Sequence, residues 1–148
     1  MPKKTASKEK PEVNEQELQK KYFQFQMMKQ QLTALVEEKN AIDEKISEIS
    51  MSIESMKKLE NIKKGDEMWS SLGSGAFVRS DVKDIDNVFV AAGAGVVIKQ
   101  KRSAGIEILA SRLEQLQKID IELITEINKF SEQAQRLEQE LQHAVENR

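Results

Sequence analysis

Residues 65–101 read GDEMWSSLGSGAFVRSDVKDIDNVFVAAGAGVVIKQK, and this stretch decides the fold. Four short apolar runs, DEMWSSL, AFVRSDV, NVFVAAG and GVVIKQ, are rich in Val, Phe, Ile and Trp, the residues that suit a pleated surface. Gly73-Ser74-Gly75 separates the first pair and Gly93-Ala94-Gly95 the last, with Asp84-Ile85-Asp86-Asn87 between the middle two. Glycine reaches the positive φ that a tight turn demands, so each Gly-x-Gly predicts a hairpin turn. Two consecutive β-hairpins with strands of about six residues follow. An isolated hairpin is marginal in water, and no third element is in view to cover these two. The side chains of Trp69, Phe77, Phe89, Val90 and Val97, and the unpaired strand edges, then call for partners from other chains. With Gly73, Gly75, Gly93 and Gly95 shaping its turns, residues 65–103 are expected to be an oligomerisation platform.

Outward from the hairpins the period changes from two to three and a half. With Leu18 at position a of a heptad, the a residues are Leu18, Phe25, Leu32, Lys39, Ile46 and Ile53, and the d residues are Lys21, Met28, Leu35, Ile42, Ile49 and Met56. On the other side the a residues are Ile106, Leu113, Asp120, Ile127, Ala134 and Leu141; the d residues are Leu109, Leu116, Leu123, Phe130, Leu137 and Ala144. Three-and-four spacing without a slip predicts coiled-coil helices. Neither flank holds a glycine from Glu12 to Lys64 or from Ile106 to Arg148. The expected fold is mainly α: a long antiparallel two-helix coiled coil with two β-hairpins inserted between the helices. Its parts are a disordered basic leader (1–11), a first helix (12–64), the hairpins (65–103) and a second helix (104–148).

Composition supports this and narrows function. Charged residues make up 32% of the 148 and aromatics 5%, a profile of long helices. No cysteine is present and His143 is the one histidine, so thiolate sites and His-based metal clusters are excluded, and His143, at a c position off the seam, reads as a plain exposed residue. Lys and Arg total 23 against 25 for Asp and Glu, so no overall field recruits nucleic acid. The apolar runs fall far below the roughly 18 residues of a membrane span, and no signal peptide opens the chain. The Gly-x-Gly motifs lack the third glycine of a dinucleotide fingerprint and the Gly-Lys-Ser/Thr of a phosphate loop. Asp84 and Asp86 read as turn formers. No catalytic constellation and no cofactor are expected.

One feature exceeds a plain rod. Tyr22, Phe23 and Met27 are apolar yet sit off the seam. An antiparallel register that levels Lys39 with Asp120 also sets Phe25 near Ala134 and Ile53 near Ile106. It brings Tyr22, Phe23 and Met27 to the level of Leu137 and Val145. With Leu18 and Leu141, these residues would form a mixed apolar tip for binding irregular partners.

A long helix, two hairpins carrying LGSGAF and VFVAAGAGV, and a second long helix resemble the prefoldin family, in its archaeal α-type subunits. The motif residues are Gly73, Ser74, Gly75, Ala76 and Phe77, then Ala92, Gly93, Ala94, Gly95 and Val96, with VKDIDNVFV between. Ser71 departs from a common proline, and Gly105 stands where the returning helix starts. The resemblance implies an ATP-independent, cytoplasmic chaperone subunit in a hexamer of two α and four β chains. Hairpins would build a β-barrel platform from which coiled-coil arms hang. Arm tips would hold unfolded clients and pass them to a group II chaperonin, with no nucleic acid or membrane partner. On the residues alone, a structural scaffold without clients, or a nucleic-acid module using the basic leader, stays open.

Overall fold

The computed structural model describes residues 15–147; the leader and the expected helix start at residues 12–14 lie outside them. Helix α1 spans Glu15–Lys58 and α2 spans Arg102–Glu146, with strands β1 (Glu67–Gly73), β2 (Ala76–Asp81), β3 (Asn87–Gly93) and β4 (Val96–Lys101) between them. Two long helices enclosing two antiparallel hairpins is the fold class the sequence predicts. Every a and d residue of both heptads is buried or half-buried except Lys21. At about 1.5 Å per residue, 44 and 45 residues make helices of about 66 and 68 Å. Glu15 and Glu17 at the start of α1, and Lys57 and Lys58 at its end, match the helix dipole.

Helix α1 closes earlier than residue 64, in a 3-10 turn at Leu59–Asn61, and Ile62 is already extended. The seam explains this. After Met56 the next a and d positions are Glu60 and Lys63, so nothing apolar remains to hold another turn. Helix α2 follows β4 without a loop; the Arg102 N–H donates to the Asp86 carbonyl at 2.8 Å.

The chain forms two compact units. In the one built from residues 15–39 and 122–147, Leu123, Ala134 and Leu137 are buried. Lys21, early in α1, lies 3.3 Å from Glu140, late in α2, so the two segments run antiparallel. That ion pair accounts for the exposed lysine in the seam.

The second unit, residues 40–121, holds both hairpins. Ile53, Val90 and Leu109 form its core, with Ile49, Met56, Val88, Ile106 and Leu113 packed around them. This corrects the expectation that no third element covers the hairpins. Val90, read as an inter-chain contact, is only 6% exposed within its own chain. The physical reason is alternation. Val88 and Val90 share one face of β3, and that face lies on the adjoining ends of the helices. Gly105, inside α2, permits the approach. A Cβ there would stand 2.6 Å from Val88 Cγ2.

The hairpins are built alike. β1 pairs with β2 from Glu67–Asp81 to Gly73–Ala76, and β3 with β4 from Asn87–Lys101 to Gly93–Val96. Each residue of the second lies twenty positions after its counterpart, so Phe89 repeats Trp69 and Val97 repeats Phe77. Both ladders slip by one residue before the turn, leaving Leu72 and Ala92 as the extra residues of bulges. Ser74 (φ 50°) and Gly75 (φ 78°) occupy the first turn, Ala94 (φ 50°) and Gly95 (φ 76°) the second. Positive φ at both central residues marks the turn family whose twist suits hairpin strands.

Candidate functional site

Two surfaces stand out, one in each unit. The first is an open cleft of about 920 Å³ between the start of α1 and the end of α2. Leu18, Tyr22, Phe23 and Phe25 line it from α1, Leu141 and Val145 from α2. Leu18, Phe25 and Leu141 are seam residues, half-buried because the seam runs to the end of both helices. Tyr22, Phe23 and Val145 are off the seam and 57%, 65% and 61% exposed. Gln19, Gln26 and Gln142 complete the lining, together with Glu138 and Glu146.

Five of the seven residues expected at the tip therefore meet in this cleft. Met27 is exposed but does not line it. Leu137 is a correction: it is buried in the seam, only 9% exposed, and does not line the cleft. Phe25 is the residue that sequence reasoning left out. Its seam position assigned it to packing, and the signal available was the charged Lys21 at the seam position beside it.

The second surface is the outward face of the hairpins. Trp69 and Phe77 lie on one face of β1–β2 and Phe89 and Val97 on the matching face of β3–β4, all exposed. Arg79 pairs with Glu67 and lies over the Trp69 ring at 5.9 Å from its centroid. On the opposite face of β1–β2 the Ser70 and Ser80 hydroxyls bond each other at 2.6 Å. Gly73, Gly75, Gly93 and Gly95 hold the turns at positive φ and contribute no side chain. Asp84 braces the link between the hairpins. It accepts bonds from the backbone N–H groups of Asp86 (2.8 Å) and Asn87 (3.1 Å), and from the Asn87 side chain (3.0 Å). Those bonds, the Asn87 side chain foremost, hold its carboxyl below the ordinary range. Among the described residues no group of His, Cys, Asp and Glu is placed to hold a metal ion, and no helix is long and apolar enough to cross a membrane.

Both the sequence and the fold of two long helices with two hairpins between them are matched by known proteins. The prefoldin subunit family matches residues 28–147. The chain belongs to the prefoldin family. The prefoldin subunit alpha of Methanococcus vannielii is 32% identical over 127 residues, covering 86% of this chain and 85% of that protein. The prefoldin subunit alpha of Methanococcus aeolicus is 30% identical, covering 88% and 89%. The fold resembles that in the cryo-EM structure of filamentous PFD from Methanocaldococcus jannaschii, with a TM-score of 0.67 and 19% identity over 76% of this chain and 93% of that one. It also resembles the prefoldin beta subunit from Thermococcus strain KS-1, with a TM-score of 0.57 and 16% identity over 86% and 91%. The chain is thus a subunit of the prefoldin chaperone type, and its curated relatives are alpha subunits.

Proposed function

We propose that this prefoldin subunit captures unfolded proteins in the cleft at its helix ends and works without ATP. In this reading it assembles through its hairpins with β-type subunits, as two α and four β chains, and hands clients to a group II chaperonin. The observation that carries the reading is the cleft, where exposed aromatic and aliphatic side chains stand between the start of α1 and the end of α2. Helix ends fray at little cost, which lets such a surface fit irregular chains. Each contact is weak, and several tips acting together supply the affinity. The uncovered hairpin faces of Trp69, Phe77, Phe89 and Val97 support assembly by the same logic of unburied apolar area.

Replacing Tyr22, Phe23 and Val145 together by Ser tests it, since none of the three packs in the seam. Helix content and assembled mass should be unchanged when the variant is mixed with a β-type subunit. The dose needed to suppress aggregation of a chemically unfolded protein should rise about tenfold, as expected if roughly 1.4 kcal/mol of apolar contact is lost per captured client. An unchanged dose would leave the scaffold reading.

A further inference from the structure

The two walls of the tip cleft differ in charge. The wall from α1 is apolar and amide, and the wall from α2 carries the only charged lining groups, Glu138 and Glu146. Neither has an ion pair among the described residues. Among the described residues, Lys21 is engaged by Glu140, and Lys20 is absent from the cleft lining; it lines an adjoining hollow that shares Gln19 and Phe23 with the cleft. Helix α2 ends at Glu146, so its last carbonyls, the negative end of the helix dipole, face the same place. Its last turn, His143 to Glu146, has neither Lys nor Arg, whereas the positive end of α1 is already matched by Glu15 and Glu17. The cleft is therefore apolar and uncharged along α1, while along α2 Leu141 and Val145 stand beside two glutamates.

Building on the proposed capture role, we infer that the cleft selects a class of client: apolar segments that also carry Lys or Arg, in preference to apolar segments bearing Asp or Glu. Bulky side chains would lie on Tyr22, Phe25 and Leu141 while cations meet the α2 wall. Glu138 and Glu146 are eight residues apart on α2, about 12 Å at 1.5 Å per residue. Two basic residues so spaced would engage both. A segment with carboxylates there would meet like charge and lose affinity. Because both glutamates are exposed, each pair is weak and screened by salt, so the preference is modest and ionic.

The test uses two fluorescent peptides with identical Leu and Phe positions, one with Lys and the other with Glu at the remaining positions. Both are titrated onto the full chain assembled with a β-type subunit. The Lys peptide should bind roughly three- to tenfold tighter at low ionic strength, with the gap closing near 1 M salt, where the Debye length is about 3 Å. Glu138→Gln with Glu146→Gln should remove the gap and leave binding of the Glu peptide no weaker. Equal binding of the two peptides, or a gap that survives the double variant, overturns the charge selection while the capture role stands. Binding of neither peptide overturns both. A preference that emerges only after residues 1–10 are deleted would assign the negative wall to the chain's own lysine-rich leader, and overturns the proposal for clients.

Discussion

Adding a single methyl group at Gly105 tests how the hairpins are joined to the helices. In an exposed helix, replacing Gly by Ala stabilises by about 1 kcal/mol, through lower backbone entropy in the unfolded chain. Gly105 is buried, and its Cβ would lie 2.6 Å from Val88 Cγ2, 3.3 Å from Val90 Cγ2 and 3.7 Å from Met56 Sδ. Carbon atoms in contact sit at about 3.5–4.0 Å, so the Val88 methyl would have to retreat by about 1 Å. Val88 is β-branched and stiff about χ1, and its neighbour Val90 is buried against Ile53 and Leu109. The strand must move or the helix must lift. Overpacking of this kind costs about 1–3 kcal/mol. Set against the helical gain, Gly105→Ala should destabilise by about 1 kcal/mol, or about 2–4 °C in Tm for a chain of this size.

The assay is thermal unfolding followed by circular dichroism at fixed protein concentration, because assembly makes Tm concentration-dependent. Val88→Ala supplies the partner for a double-mutant cycle. In that background the added methyl has room, and Gly105→Ala should raise Tm instead of lowering it. The coupling between the two sites should then be about 1–3 kcal/mol. If Gly105→Ala stabilises the parent chain by the full helical amount and the two changes simply add, the close approach does not constrain the fold, and Gly105 is an accident of the helix start.

Val90→Asp should bury a charge against Ile53 and Leu109 at several kcal/mol, and hydrogen exchange should quicken in residues 49–56 and 106–113 as well as in the hairpin. Unchanged protection in the helix ends would contradict a shared core. Trp69→Glu with Phe77→Glu should leave the folding of the single chain within about 0.5 kcal/mol, since both side chains are exposed, yet lower the mass assembled with a β-type subunit. A full-size complex would count against the platform. Asp84 has a folded pKa below its ordinary value near 3.8, so its contribution to stability is present above that value and disappears as pH falls through the lowered one. Asp84→Ala should remove this acid-side loss and speed exchange of the Asn87 amide at neutral pH; a carboxyl midpoint measured at or above 3.8 would refute the brace.

The heptads made the helices legible, because a three-and-four spacing leaves only one face that can be buried. Lys21 is the one seam residue that stays exposed, and its ion pair with Glu140 supplies the reason. The turns were equally legible, since positive φ at Gly75 and Gly95 is a local demand that the chain meets locally. What the letters could not convey was which face of a strand meets which element. A period of two groups Val88 with Val90 and Phe89 with Ala91, but does not say which pair turns toward the helices. Phe89 and Val90 turn to opposite faces, and it is Val90 that turns to the helices of its own chain. Leu137 failed for a related reason: it has the right level along α2 for the cleft, but points into the seam. Gly105 reads as a weak helix start until the strand it accommodates is in place.

The same twenty-residue repeat then acquires two roles from a small change on one face. In β3–β4 that face carries Val88, Val90 and Ile98, and Val90 fills the core at the helix ends. In β1–β2 the corresponding positions are Met68, Ser70 and Val78, and Ser70 turns its hydroxyl to Ser80. A serine pair satisfied within its own hairpin gains little from an apolar seat, so nothing draws that face onto the helices as Val90 does. One hairpin is thereby fixed to the rods, while the other exposes Trp69 and Phe77 on one face and Met68 and Val78 on the other, with Val82 buried at its base and bonded to Gly65 and Asp66. If the hairpins serve as the proposed platform, the first is the one left to meet neighbouring subunits. In the proposed assembly it is the first hairpin, with Trp69 and Phe77 on one face and Met68 and Val78 on the other, that has the most apolar surface left to bury.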